Sequence, residues 1–179
     1  MLRFLDQVNT IVGILLFLAY LYQVFYTLYG LAFCRRDRRK AARQTPAKPS
    51  RRYAALICAR NEESVIGELI SSLRAQDYPA ELLDIYVLAD NSTDATARVA
   101  RQAGAIAFER FNPYQVGKGY ALDFLLSHIP HEYDAYLVLD ADNVIAPDYI
   151  RHMDQTLSDG YKIATSYRNS KNYGDNWIS

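Results

Sequence analysis

Between Gln7 and Cys34 no charged side chain interrupts the chain, and residues 11–33 are dominated by Ile, Leu, Val, Phe and Tyr. A run of that length is enough for a helix to cross a bilayer core, which takes about 20 residues. After residue 52 the pattern changes. Residues 53–59 are an apolar run that fits a buried strand. Residues 63–76 set Val65, Ile66, Leu69, Ile70 and Leu73 at helical spacing, and Tyr78-Pro79 stops that helix. A second strand is predicted over 83–88, ending at Asp90. Asn91 and Asp94 can cap a helix through about Ala103, which Gly104 ends. A third strand follows at 105–108, then a loop at 111–119. A helix at 120–128, a strand at 134–139, a helix opened by Pro147 and reaching about Leu157, and a fifth strand at 161–167 complete the pattern.

Strands alternating with helices predict an α/β domain with a mainly parallel sheet and helices on both faces. Such sheets bind ligands at the carboxyl ends of their strands. Asn61 and Glu62 follow the first strand, Asp90 ends the second, and Asp140 and Asp142 end the fourth. All are expected along one rim.

The formal net charge is zero, but it is unevenly distributed. Residues 1–52 hold ten Lys and Arg against two acids, and residues 53–179 hold ten against eighteen. A basic stem on an acidic domain argues against nucleic-acid binding, which places basic surface on the folded part. The cluster Arg35, Arg36, Arg38, Arg39, Lys40 and Arg43 follows the apolar run directly. By the positive-inside rule it stays in the cytoplasm, leaving the N-terminus outside. The expected organisation is a single-pass cell-membrane anchor at 1–34, a basic linker at 35–52 and a cytoplasmic domain at 53–179. Two cysteines, Cys34 and Cys58, form no disulfide framework. His128, His131 and His152 show no ligand spacing.

Asp140 and Asp142 leave three readings open by themselves. They fit a metal seat for a diphosphate, because Mg2+ takes one or two carboxylates plus phosphate oxygens. On an extended chain, positions i and i+2 point to the same side. The pair also fits the phosphotransfer pattern of haloacid dehalogenase-like phosphatases, but that motif normally closes the first strand of its domain. The third reading is a polar turn. Gly117-Lys118-Gly119 fails the phosphate-loop pattern, since Asn112 stands where its first Gly belongs. Lys118 remains near a helix start, where a phosphate contact is reasonable.

Four segments, CARNEE (58–63), VLADNSTDAT (87–96), GKGYALDFLL (117–126) and LVLDADNVIAPDYI (137–150), resemble family 2 glycosyltransferases. The resemblance is to membrane-bound bacterial members related to cellulose, hyaluronan and poly-N-acetylglucosamine synthases. It implies a GT-A, Rossmann-like fold and inverting transfer from a nucleotide-sugar, usually a UDP-sugar, with Mg2+ or Mn2+. By position it implies that Asp90 reads the uracil. It likewise implies Asp140 and Asp142 as the DxD, with Asp142 the surer metal ligand. Lys118 stands near the diphosphate, and Ala59, Arg60, Asn61 and Glu62 line the nucleotide side.

Two departures qualify the resemblance. Many members have Asp-Asp where this chain has Ala89-Asp90. Members also continue into an acceptor-side half with a catalytic-base aspartate and a QxxRW motif, which residues 53–179 do not contain. The base is therefore expected beyond Ser179, since Asp175 in NYGDNW does not match its motif. The expectation is the donor half of a transferase acting on a glycan or lipid-linked acceptor, inactive alone and prone to self-association through uncovered apolar surface. The alternative is a non-catalytic nucleotide-sugar-binding or regulatory membrane protein.

Overall fold

The computed structural model describes residues 2–41, 51–130 and 132–167. Residues 42–50 of the sequence-read linker, His131 and Asp175 lie outside the described residues. The chain divides into two compact units, Met1–Pro46 and Ala47–Ser179.

In the first unit lies a single long helix, α1, Leu2–Ala41. Its segment Arg3–Arg36 is long and apolar enough to cross a membrane, and an 18-residue stretch within it has a mean hydropathy of 2.0. Aromatic side chains one turn apart meet along it: Phe25, Tyr29 and Phe33 stack with ring centroids 6.3 and 6.4 Å apart. The helix does not stop at Cys34. It runs on through the basic cluster, because Arg, Lys and Ala are good helix formers and neither Gly nor Pro intervenes before Pro46.

The second unit alternates as its pattern predicts: β1 (Tyr53–Ala59), α2 (Ile66–Arg74), a 3-10 turn (Ala80–Leu82), β2 (Leu83–Asp90), α3 (Thr96–Gln102), β3 (Ile106–Arg110), α4 (Lys118–His128), β4 (Ala135–Asp140) and α5 (Tyr149–Ser158). The four strands pair in parallel in the order β3-β2-β1-β4. Side-chain alternation divides the core in two. Tyr53, Ala55, Ile57 and Ala59 of β1 pack with Leu69 and Ile70 of α2, Ala100 of α3 and Ile150 of α5. Ala54 and Leu56 face the other way and pack with Ala121 and Leu125 of α4. Helices thus cover both faces. Ile66, Leu69, Ile70 and Leu73 of α2 are buried at its helical spacing, each stabilising the fold by about 1.5–3 kcal/mol.

The amino end of the sheet is closed by a buried polar cluster. The Tyr53 hydroxyl donates to Asp154 Oδ1 at 2.9 Å, and Arg51 Nη1 donates to the same atom at 3.0 Å. Tyr78 donates to the Arg51 carbonyl at 2.9 Å. Asp154 is only 2% exposed, and these bonds allow a carboxylate to sit there.

The structure corrects the sequence reading in three places. The helix predicted from Asn91 starts at Thr96, because Asn91 takes a left-handed conformation (φ 52°) that breaks the turn. Asp94 does the capping, accepting from the Thr96 N–H at 3.0 Å. The fifth strand predicted at 161–167 does not form. Those residues are irregular, with Tyr161, Ile163 and Tyr167 exposed. Strand-forming residues need a partner edge, and this segment does not pair with β4. Among the described residues no strand pairs with the outer edge of β4, and Tyr136 and Val138 on its α4 face are 40% and 46% exposed. Finally, Asp142 is not on extended chain. β4 ends at Asp140, and the Asn143 N–H bonds back to the Asp140 carbonyl at 3.1 Å, so Ala141 and Asp142 lie in a turn.

Candidate active site

Register fixes which strand-end side chains share a face. Cys58 of β1 pairs with Asp140 of β4, and Leu88 of β2 pairs with both Cys58 and Phe108. Asp90 pairs with Arg110, the last residue of β3. Side chains alternate along each strand, so Cys58, Asp90, Arg110 and Asp140 all project from the face that carries α4. Lys118 opens α4 over that face. Its Nζ forms an ion pair with Asp140 Oδ1. The register sets Asp90 two strands and two residues from Asp140, roughly 12 Å away from strand spacing and rise.

Asp90 is 8% exposed and lies against Arg110. Arg110 Nε donates to Oδ1 at 2.8 Å and Nη2 to Oδ2 at 3.0 Å. Asp90 thus lies on the rim as expected, with both carboxylate oxygens engaged by Arg110. The Asp90 bonds hold the Arg110 guanidinium further up than its already high pKa. Sequence reasoning passed over Arg110. β3 runs two residues past its predicted end at 108, and that extension is what brings Arg110 opposite Asp90.

Asn61 and Glu62 do gather at this rim, with much of their polarity turned inward. Asn61 adopts φ 56°, and its Oδ1 accepts from the Thr93 N–H at 2.8 Å. The Glu62 N–H donates to Thr96 Oγ1 at 2.9 Å, and the Glu63 N–H to Asp94 Oδ2 at 3.1 Å. The loops after β1 and β2 are therefore laced together. Asp94, accepting first of all from Thr96, titrates below the usual carboxylate range. Ala59 points into the core, so only its backbone belongs to the rim. Arg60 is exposed. Cys58 lies beside the cluster, and burial pushes its thiol up to about 11.

Asp142 is exposed and helps to line a cavity of about 670 Å³ beside β4, with Asn143, Tyr149, Met153 and Thr165. The loop that carries it is braced from behind by Gln76. Gln76 Nε2 donates to the Ala146 carbonyl at 2.7 Å, and its Oε1 accepts from the Ile150 N–H at 3.0 Å. The Asp77 N–H adds a bond to the Pro147 carbonyl at 2.7 Å. Among the described residues, no group of three or more His, Cys, Asp or Glu converges on a single point.

A parallel sheet with helices on both faces, and charged residues gathered at the carboxyl ends of its strands, is a Rossmann-like α/β architecture. The chain belongs to the family described as glycosyltransferase like family 2, whose profile matches residues 49–179. An N-acetylglucosaminyltransferase of Rhizobium leguminosarum bv. viciae is 31% identical over 170 residues. That match takes in 89% of this chain but 39% of the relative, so the chain spans about two fifths of that protein's length. Two solved structures share the fold. A mannosyltransferase from Pyrobaculum calidifontis, solved with GDP-Man and Mn2+, superposes with a TM-score of 0.54 at 24% identity, over 72% of this chain and 40% of that one. Staphylococcus aureus TarS residues 1–349 with UDP gives 0.51 at 22% identity, over 60% and 32%.

Proposed function

We propose that this chain is the donor-binding part of a membrane-anchored, inverting glycosyltransferase that uses a UDP-sugar. The observation that carries the reading is the convergence of Asp90, Lys118 and Asp140 on the α4 face of the rim, spaced like the two ends of a nucleoside diphosphate. The Asp90 carboxylate accepts a base N–H at one end. Lys118, freed from Asp140, meets the diphosphate at the other, helped by the start of α4. Arg60, Asn61 and Glu62, with the backbone of Ala59, border the nucleotide between them.

The donor set fits a hard divalent cation. Asp140 and Asp142 supply carboxylate oxygens, and Mg2+ or Mn2+ needs only one or two of these beside phosphate. Lys118 marks the place, since its ammonium already balances Asp140. Asp142, exposed on its braced loop, is the main ligand. The ion when bound adds Lewis-acid stabilisation of the leaving diphosphate. The related structures solved with GDP-Man and Mn2+ and with UDP support this donor class.

The acceptor is a glycan or a lipid-linked acceptor, and α1 anchors the domain on the cytoplasmic side of the cell membrane through its basic end. The general base that deprotonates the acceptor hydroxyl is assigned to the part of the relatives that this chain does not span. The outer edge of β4, unpaired among the described residues, and the exposed Tyr136 and Val138 beside it fit a further segment like those of the longer relatives or a second copy.

Calorimetry on the full chain in detergent tests the reading. UDP binding should require Mn2+, and Asp142→Ala should remove that requirement along with most of the affinity. Metal-independent binding unchanged by Asp142→Ala would refute the site. Sustained sugar transfer by the purified 179 residues would refute the assignment of the base elsewhere.

A further inference from the structure

Arg110 ends the short edge strand β3, and the donor-site reading gives it no task. Its wiring is dense. Besides its two bonds to Asp90, Nη2 donates to the Gln115 carbonyl at 2.9 Å and Nη1 to the Tyr120 carbonyl at 3.1 Å. Gln115 belongs to the loop between β3 and α4, and Tyr120 lies in the first turn of α4, two residues past Lys118. One guanidinium therefore joins the end of β2, the loop and the helix start that carries Lys118. Arg110 is 9% exposed, and four hydrogen bonds to protein acceptors take up most of its five N–H donors.

A purely structural role is the competing account. Buried ion pairs are poor stabilisers, and an apolar pair of similar volume often does as well. What argues beyond stability is the geometry. The fork holds both Asp90 oxygens, which fixes the plane of the carboxylate. The remaining donors bind backbone carbonyls of the segment leading to the diphosphate end.

We infer that Arg110 is a positioning residue, which sets the Asp90 carboxylate for a base N–H and holds it in register with the loop ending at Lys118. The inference rests on the donor-site reading. Arg110 acts on the ligand through Asp90, not by direct contact. A carboxylate fixed in this way only accepts, so it favours a base presenting N–H at the contact, as uracil does at N3. Cytosine, presenting an acceptor there, is rejected because two acceptors would face each other.

The test is calorimetry on the full chain in detergent, titrating UDP and CDP separately with Mn2+ and running thermal melts in parallel. The wild type should prefer UDP. Arg110→Gln should lose roughly ten- to hundredfold in UDP affinity, the scale of a charged hydrogen bond, and its preference over CDP should fall towards parity. Arg110→Lys, keeping one bond, should fall between. Arg110→Gln alone leaves a buried unpaired carboxylate and can fail to fold. The double change Asp90→Asn with Arg110→Gln removes that charge and should melt near the wild type. It should bind UDP within a few-fold of Asp90→Asn, because the carboxylate that Arg110 positions is gone and only its bonds to the Gln115 and Tyr120 carbonyls are further lost. A further tenfold loss in the double variant would mean direct contact with the base and overturn the inference. So would an Arg110→Gln protein that keeps its UDP preference, or a wild type that binds both nucleotides equally. A wild type that binds no UDP with Mn2+ would overturn the donor-site reading itself, and this inference with it.

Discussion

At the amino end of the sheet Asp154 is 2% exposed and holds Arg51 and the Tyr53 hydroxyl, while at the carboxyl end the Asp140 side chain is 39% exposed and pairs with Lys118, whose stem is flexible and whose side chain is 45% exposed. Both are carboxylates beside a cation in the same parallel sheet. The first is enclosed among tyrosines, so its partners are fixed. The second opens to solvent, so its partner can be exchanged for a ligand. Between them stands Asp90, enclosed like Asp154 but placed at the ligand rim like Asp140. The comparison separates charge enclosed in the fold from charge left open to solvent.

The comparison breaks most directly at Asp154. Asp154→Ala should cost about 2–3 kcal/mol in denaturant unfolding. That is below the range for a fully buried pair, because Arg51 retains solvent contact. Nucleotide binding by the folded fraction should not change. An unfolding midpoint equal to the wild type would show that the amino-end cluster is not structural.

Gln76→Ala comes next. It strands the Ala146 carbonyl and the Ile150 N–H, and should cost about 1–2 kcal/mol. Unlike Asp154→Ala, it should also weaken Mn2+-dependent UDP binding, because it frees the loop that carries Asp142. Equal nucleotide affinity in the two proteins would separate Gln76 from the site.

Lys118→Ala should barely alter the melting curve, since exposed ion pairs are worth about 0–1 kcal/mol. Its UDP affinity should nevertheless fall about tenfold. A large stability loss would place the Lys118–Asp140 pair with the structural charges instead.

The smallest effect concerns Cys58. Burial raises its thiol from about 9 to about 11. The folded state therefore favours the neutral thiol, and that contribution to stability is complete below pH 9 and lost as pH rises towards 11. Alkylation of Cys58 should be slow at pH 8 and accelerate only near pH 11, and fast labelling at pH 8 would show that the face is open.

β1 was legible to the residue, because Tyr53–Ala59 is apolar throughout and buried on both faces. α2 was legible through its stripe, although it begins at Ile66 because the backbone N–H groups of Glu62 and Glu63 bond the loop after β2. The segment at 161–167 misled because apolar alternation records a preference for pairing and says nothing of whether an edge is met. At the site, the placing of Asp90 and Asp140 on one rim followed from the rule that ligands gather at strand ends, whereas Lys118 was picked out by its helix start and by the family resemblance. Arg110 escaped because its importance lies in a contact with a residue twenty positions away, which no local pattern encodes.

Parity along the strands has a consequence for insertions and deletions. Cys58, Asp90, Arg110 and Asp140 share a face only because each strand keeps an even count to its rim residue. Losing one codon within β1, β2 or β4 would turn the next residues over and exchange a core side chain for a rim one. Losing two would restore orientation while shortening the strand by roughly 7 Å. Sequence drift in this domain should therefore tolerate length changes in its loops and reject odd-length changes inside its strands, even where every substituted residue is itself acceptable.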